Sequence, residues 1–198
     1  MNIALCPLCE KPSPYGLTHP GCKTSFGLDG MVVLSDYQGI TKTLILKVKY
    51  KSVFDISKTL IDIFIQQHPS FPFLPDLVTY IPLYPSREKE RGFNQSLFLA
   101  KLLAENYGWP LARILTRIKN NRPQMSINNF QLRKRNIKGV FSIKPTALIK
   151  GKNVVIIDDV ATTGATIFEA TRVLKRNGAK TVWGMVMARK QPIRYVKT

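Results

Sequence analysis

The sequence predicts an α/β protein: a parallel sheet with packed helices, preceded by a small N-terminal metal knuckle. Three observations carry this prediction. First, a continuous apolar run over residues 154–157 is followed by a Gly/Thr-rich turn, a helical pattern over 165–176 and a second strand pattern over 181–188. Strand, helix and strand at this length make a βαβ unit, which joins parallel strands. Second, a strand pattern over 77–83 leads through a loop into a helical pattern over 94–107. Third, residues 1–27 hold all three cysteines of the chain, with few periodic apolar residues and hence no core of their own.

In chain order, the knuckle comes first. Cys6 and Cys9 form a C-x-x-C, and His19 and Cys22 form an H-x-x-C. Four soft or borderline ligands in two pairs are the count and spacing of a tetrahedral structural Zn²⁺ site. A piece this short and coreless folds only around its metal. A redox C-x-x-C normally opens a helix after a strand, and this one does not. The expected division is a zinc-binding knuckle at 1–27 and an α/β domain at 28–198.

From about Gly30 the pattern changes. Residues 31–34 read as a short β run, and 40–50 interleave apolar residues with Lys42, Lys47 and Lys49. Residues 56–67 place Leu60, Ile61, Phe64 and Ile65 at helical spacing, until Pro69, Pro72 and Pro75 break the pattern. After the 77–83 strand, Pro85, Ser86 and Arg87 are expected to begin a loop. In the 94–107 helix, Leu97, Ala100, Lys101 and Ala104 fall at helical steps, and Gly108 and Pro110 end it. Residues 113–152 are rich in Lys and Arg and contain no acid. Asn177 and Gly178 close the 165–176 helix before the last strand.

The charge narrows the partners. Thirty Lys and Arg stand against twelve Asp and Glu in 198 residues, a formal net charge of +18. Such a balance favours a polyanion: nucleic acid, phosphorylated metabolites or an acidic membrane surface. No apolar stretch approaches the roughly 18 residues that span a bilayer, so no transmembrane segment is expected. The opening residues are too short for a signal peptide, and clustered thiols suit a reducing compartment. A cytoplasmic protein is expected.

The segment V-V-I-I-D-D-V-A-T-T-G-A-T, residues 154–166, holds the densest chemistry. A buried strand ends at adjacent carboxylates, Asp158 and Asp159, at the end of the strand where α/β sheets bind ligands. Ala161, Thr162, Thr163, Gly164, Ala165 and Thr166 then lead into a helix. Small residues let backbone N–H groups approach a phosphate, and the threonines add hydroxyl donors. The carboxylates repel a phosphate, so they suit sugar hydroxyls or a Mg²⁺ ion. A sugar phosphate meets both demands. No G-x-x-x-x-G-K-[ST] occurs, which excludes a P-loop. Upstream, Arg87, Lys89 and Arg91 form a cationic stretch suited to a diphosphate.

The 154–166 segment resembles the signature of type I phosphoribosyltransferases. The resemblance implies that Asp158 and Asp159 contact the ribose, with catalytic weight, and that Ala161 to Thr166 bind the 5-phosphate of phosphoribosyl diphosphate with Mg²⁺. A second stretch, I-P-L-Y-P-S-R-E-K-E-R-G-F-N-Q-S-L-F-L-A over 81–100, is similar to the ComF family of competence-associated proteins with this fold. Residues 46–51, L-K-V-K-Y-K, resemble that family's lysine-rich strand. Arg122, Gln124, Arg133, Arg135, Asn136 and Gly139 resemble its basic loop. ComF-like proteins usually carry a four-cysteine knuckle, and His19 departs from it at a position where zinc tolerates histidine.

Two functions follow as expectations. In one, the resemblance implies a role in DNA uptake during natural transformation, with single-stranded DNA held by Arg122, Arg133, Lys134 and Arg135. A DNA-uptake helicase would then be a further partner. Phe130, Phe141 and Tyr50 are candidates to stack bases, with core packing the expected role of Phe141. In the other, the protein is a phosphoribosyltransferase of nucleotide or base salvage, with Lys89, Arg91 and the 122–135 loop neutralising the departing diphosphate.

Overall fold

The computed structural model describes residues 4–39, 41–43, 45, 71–121, 130–143 and 148–190. Among these, four strands form one parallel sheet: β1 (Gly30–Asp36), β2 (Leu77–Tyr80), β5 (Asn153–Ala161) and β6 (Thr181–Arg189), in the order β1-β6-β5-β2. Every pairing is parallel, with Met31 opposite Gly184, Val155 opposite Trp183 and Val154 opposite Leu77. The aliphatic run of β5 lies at the sheet centre because it is covered on both faces.

Alternation along β5 splits the core in two. Val154 and Ile156 pack against Ile167, Ala170 and Leu174 of helix α4 (Ala165–Arg176). Val155 and Ile157 face Leu99 and Leu103 of helix α2 (Gln95–Tyr107) on the other side. The basic stretch adds an antiparallel ribbon, β3 (Leu115–Arg117) with β4 (Phe141–Ile143), and helix α3 (Phe130–Ile137) between them. The ribbon is pinned to α4, where Glu169 accepts from the Gly139 N–H at 2.7 Å and pairs with Arg172 at 2.6 Å. Phe141 is core, 5% exposed, which removes it as a base-stacking surface.

One expected loop is a helix. Residues Pro85–Arg91 form α1. Proline stands in its first turn with Glu88, Lys89 and Arg91 occupy its last turn, and Gly92 closes it in the left-handed conformation. Each of these placements favours a helix. The alternating charges, read as a solvated loop, are the dipole-matched ends of a short helix. The strand expected over 77–83 keeps ladder pairing only to Tyr80, and the one expected over 31–34 extends to Asp36. The patterns at 46–51 and 56–67 lie outside the described residues.

The N-terminal piece is tied to the sheet. Leu17 bridges Gly30, and the Thr18 hydroxyl donates to the Leu28 carbonyl at 2.6 Å. At the far end of β6, Arg189 pairs with Glu10 at 2.7 Å and donates to the Pro7 carbonyl at 3.3 Å. No helix among the described residues is long and apolar enough to cross a membrane.

The β1–β6 contact sets a test of the packing. Trp183 is 2% exposed, and a Cβ at Gly30 would lie 2.5 Å from its ring. A Gly30→Ala change must therefore push the indole or the strand aside. We expect it to destabilise the fold by about 1–3 kcal/mol, the usual range for overpacking, read as a lower denaturation midpoint with an unchanged slope.

Candidate functional site

The carboxyl ends of the parallel strands open on one pocket. Its wall includes Tyr37 after β1, Ile81 and Leu83 after β2, Asp158 to Thr166 around the β5–α4 turn, and Lys190 after β6. Arg87 and Arg91 of α1, Gln95 and Ser96 of α2, and Arg117 of β3 complete it.

Asp158 is the buried pole of this pocket, 7% exposed. A carboxylate there needs donors, and its Oδ1 accepts from the Ser96 hydroxyl at 2.8 Å and the Asp159 N–H at 2.9 Å. Asp159 is half-buried and accepts from the Val160 N–H at 2.7 Å. The N-F-Q-S-type chemistry upstream explains how Ser96 arrives. Asn94 caps α2, its Oδ1 accepting from the Leu97 N–H at 3.2 Å, while its Nδ2 donates to the Ile81 carbonyl at 3.2 Å. One asparagine thus locks the start of α2 to the end of β2.

The turn that follows β5 is tight. Gly164 has φ of 72°, and a Cβ there would lie 2.8 Å from the Phe168 ring. The Thr163 hydroxyl accepts from the Ala165 N–H at 3.3 Å, and α4 begins without an acid in its first turn. Ala161, Thr162, Thr163, Gly164, Ala165 and Thr166 all line the pocket beside both carboxylates. The electrostatics of the turn suit an anion, and those of the strand end suit hydroxyls or a hard cation.

Of the cationic stretch, the structure brings Arg91 to the pocket and leaves Lys89 exposed outside its wall. The helix explains the difference. Residues four apart share a face, so Arg87 and Arg91 point together, and Lys89 two positions on points away. Arg87 replaces Lys89 in the pocket; it donates to the Asn121 carbonyl. Arg91 donates to Gln95 Oε1 at 3.4 Å.

Arg117 was not singled out by the sequence. It is 8% exposed, and its Nη2 donates to Asn121 Oδ1 at 2.6 Å. Its guanidinium lies 5.7 Å from the Phe141 ring centroid. Burial and the neighbouring Arg87 pull its pKa down to about 10, while Asp158 acts in the opposite sense. Gln95 and Ser96 stand inside a quoted motif and were legible there. Arg117 stands in a three-residue strand within a basic stretch, where nothing local separates it from a surface cation.

The basic residues expected to hold nucleic acid are placed unevenly. Arg122 lies outside the described residues. Arg133, Lys134 and Arg135 fall on α3, where Arg135 is exposed.

A second cluster lies at the N-terminus. One ligand atom from each of Cys6, Cys9, His19 and Cys22 falls within 4.8 Å of all the others, an arrangement that could hold a metal ion. A regular tetrahedron with metal–sulfur bonds of about 2.3 Å has edges of about 3.8 Å, so the donors need little movement. The three thiols are unbridged. His19 Nδ1 lies 3.2 Å from Cys9 Sγ, and Nε2 lies 3.1 Å from the Pro12 carbonyl. A carbonyl only accepts, so Nε2 carries the proton and Nδ1 turns its lone pair to the cluster. Burial raises the Cys6 thiol, but the N–H groups of Cys9, His19 and Leu8 outweigh it and hold the pKa at about 6. The hydrogen bond with Cys9, then burial, pushes Cys22 up to about 11.

Comparison with known proteins gives this architecture its relatives. The phosphoribosyl transferase domain family matches residues 94–196, just over half of the chain. The DNA utilization protein YhgH of Salmonella typhimurium is 32% identical over 91% of this chain and 82% of its own length. Competence protein F of Haemophilus influenzae is 29% identical, covering 94% and 86%. Competence protein ComFC of Bacillus subtilis is 30% identical, covering 88% and 72%. With the domain match over the β5–α4 crevice and these relatives along most of its length, the chain belongs to the ComF family of proteins built on a phosphoribosyl transferase domain.

Proposed function

We propose that this protein binds phosphoribosyl diphosphate, or a close sugar phosphate, and single-stranded DNA, and that it serves DNA uptake in natural transformation. The observation that carries the ligand half is the convergence of Asp158, Asp159 and the Ala161-to-Thr166 turn with Arg87 and Arg91 on one pocket. In this reading the turn takes the 5-phosphate on its N–H and threonine groups, and the two carboxylates take the ribose hydroxyls. Ser96 and the Asp159 N–H orient Asp158 for that task. Mg²⁺ would come in with the diphosphate, within reach of the oxygen donors of Asp158 and Asp159, and would screen its charge.

The DNA half rests on charge and on kinship. The chain carries +18, and residues 113–152 contain no acid. Relatives bear the names competence protein and DNA utilization protein. Arg122, Arg133, Lys134 and Arg135 are the residues proposed to track the phosphate backbone. A DNA-uptake helicase as protein partner belongs to the same reading. In the knuckle, three thiols and one imidazole are a donor set for Zn²⁺ in preference to Mg²⁺ or Ca²⁺, and we assign the ion a structural role.

Three experiments test these assignments. Asp158→Asn with Asp159→Asn keeps shape and removes charge; each lost charge-assisted bond is worth roughly 1.5–3 kcal/mol. Titration calorimetry should show phosphoribosyl diphosphate affinity falling at least about tenfold per contact, with single-stranded DNA affinity retained. Unchanged ligand affinity would refute the site. For DNA, affinity should fall with salt by roughly 0.7 log units per log unit for each phosphate neutralised. Arg133→Glu with Arg135→Glu should flatten that slope, and an affinity indifferent to salt would sink the polyanion reading. Elemental analysis should find zinc bound to freshly purified protein, and His19→Ala should lower both its content and the melting temperature; protein free of zinc and equally stable would rule the knuckle out.

A further inference from the structure

Two donors in the pocket wall have no acceptor. Gln95 is 4% exposed and Arg117 8% exposed, and both line the pocket. Gln95 Nε2 and Arg117 Nε are buried without a hydrogen-bond partner among the described residues. The amide orientation of Gln95 is set by Arg91, which donates to its Oε1, so the unpaired group is an NH₂. A buried donor left unpaired is expensive, and a buried charge without an ion pair more so. Among the described residues no salt bridge holds Arg87, Arg91 or Arg117.

These groups sit at one end of the pocket. The sheet order runs β1-β6-β5-β2, so the Ala161-to-Thr166 turn emerges from a central strand, whereas α1 and α2 follow the edge strand β2. Asn121 gathers the arginines there. Its Oδ1 accepts from Arg117, its carbonyl accepts from Arg87, and its Nδ2 donates to the Asn136 carbonyl at the end of α3. Two guanidinium groups are thus held close together at the cost of mutual repulsion, which is part of what lowers the Arg117 pKa. The opposing acid is Asp158, whose Oδ1 accepts from Ser96 and the Asp159 N–H. Donors only, two cations and a rigid anchor make a receptor for acceptor oxygens with negative charge.

We propose that Arg117, Gln95 and Arg87 form a second anion subsite, separate from the Ala161-to-Thr166 turn, that takes a diphosphate group. The subsite makes the pocket one for a ligand with two anionic ends. It rests on the ligand reading above and deepens it, since it assigns discrimination between a sugar diphosphate and a sugar monophosphate to residues outside the β5–α4 turn. Arg117 comes from the β3–β4 ribbon, so the ribbon supplies part of the ligand site.

The test compares two ligands on the intact chain. Ribose 5-phosphate reaches the turn and the carboxylates; phosphoribosyl diphosphate also reaches the proposed subsite. Wild-type protein should bind phosphoribosyl diphosphate more tightly, and inorganic pyrophosphate should compete with it. Gln95→Glu, nearly isosteric, and Arg87→Gln should weaken phosphoribosyl diphosphate roughly tenfold, the scale of a charge-assisted bond, and change ribose 5-phosphate less than about twofold. Arg117→Gln should do the same more strongly, with Arg117→Lys recovering part of the loss. Unchanged phosphoribosyl diphosphate affinity in Gln95→Glu and Arg87→Gln overturns the subsite and leaves the turn assignment standing. Equal loss of both ligands in these variants also overturns it, since that is the result of a structural role. Wild-type protein that binds neither ligand overturns the pocket reading itself, and the subsite with it.

Discussion

A carboxylate at the end of a buried strand constrains much of this molecule. Asp158 continues the apolar run of β5 into the pocket and is 7% exposed. Its charge is tolerable only with donors in place. The Ser96 hydroxyl supplies one at 2.8 Å, which requires the first turn of α2 to rest against the end of β5. Asn94 sets that turn by capping α2 and binding the Ile81 carbonyl beyond β2. The ends of two strands and the start of one helix are therefore fixed relative to each other by polar groups, while Leu99 and Leu103 fix the rest of α2 by burial.

The pocket is divided by the same geometry. On the β5 side the turn is built of small residues and closes over Gly164, so backbone N–H groups lie near the surface. On the β2 side the groups are long and cationic, and they come from three different elements, α1, α2 and β3. Helical period selects Arg87 and Arg91 for this wall and turns Lys89 to solvent. Asn121 then holds Arg117 and Arg87 together. Binding to one side depends on backbone shape, and binding to the other depends on side chains positioned by contacts distant in sequence.

The knuckle and the sheet meet at Arg189. This residue ends β6, opposite Ala161 of β5, and reaches Glu10 and the Pro7 carbonyl between the first two cysteines. The next residue, Lys190, lines the pocket and donates its N–H to the Ala161 carbonyl at 3.0 Å. The metal cluster and the pocket are thus anchored on neighbouring residues of one strand end.

Much of this was legible in residues alone, wherever a feature is local. The aliphatic run 154–157, the helix 165–176 with its Asn177 and Gly178 ending, and the cysteine pairs all declare themselves over a few positions, because period, capping and ligand spacing are short-range properties. The convergence of Asp158, Asp159 and Ala161 to Thr166 on a pocket is local for the same reason: one strand and one turn carry them. The α1 helix was misread because its charges were weighed as a solvated run when its proline, dipole-matched ends and Gly92 argued otherwise. Only tertiary structure decided the roles of Ser96, Gln95 and Arg117. Arg117 stands 41 positions before Asp158 in the sequence, and no period or spacing links them. What makes it a pocket residue is its burial beside Phe141 and its bond to Asn121, and both exist only once the ribbon has packed on the sheet.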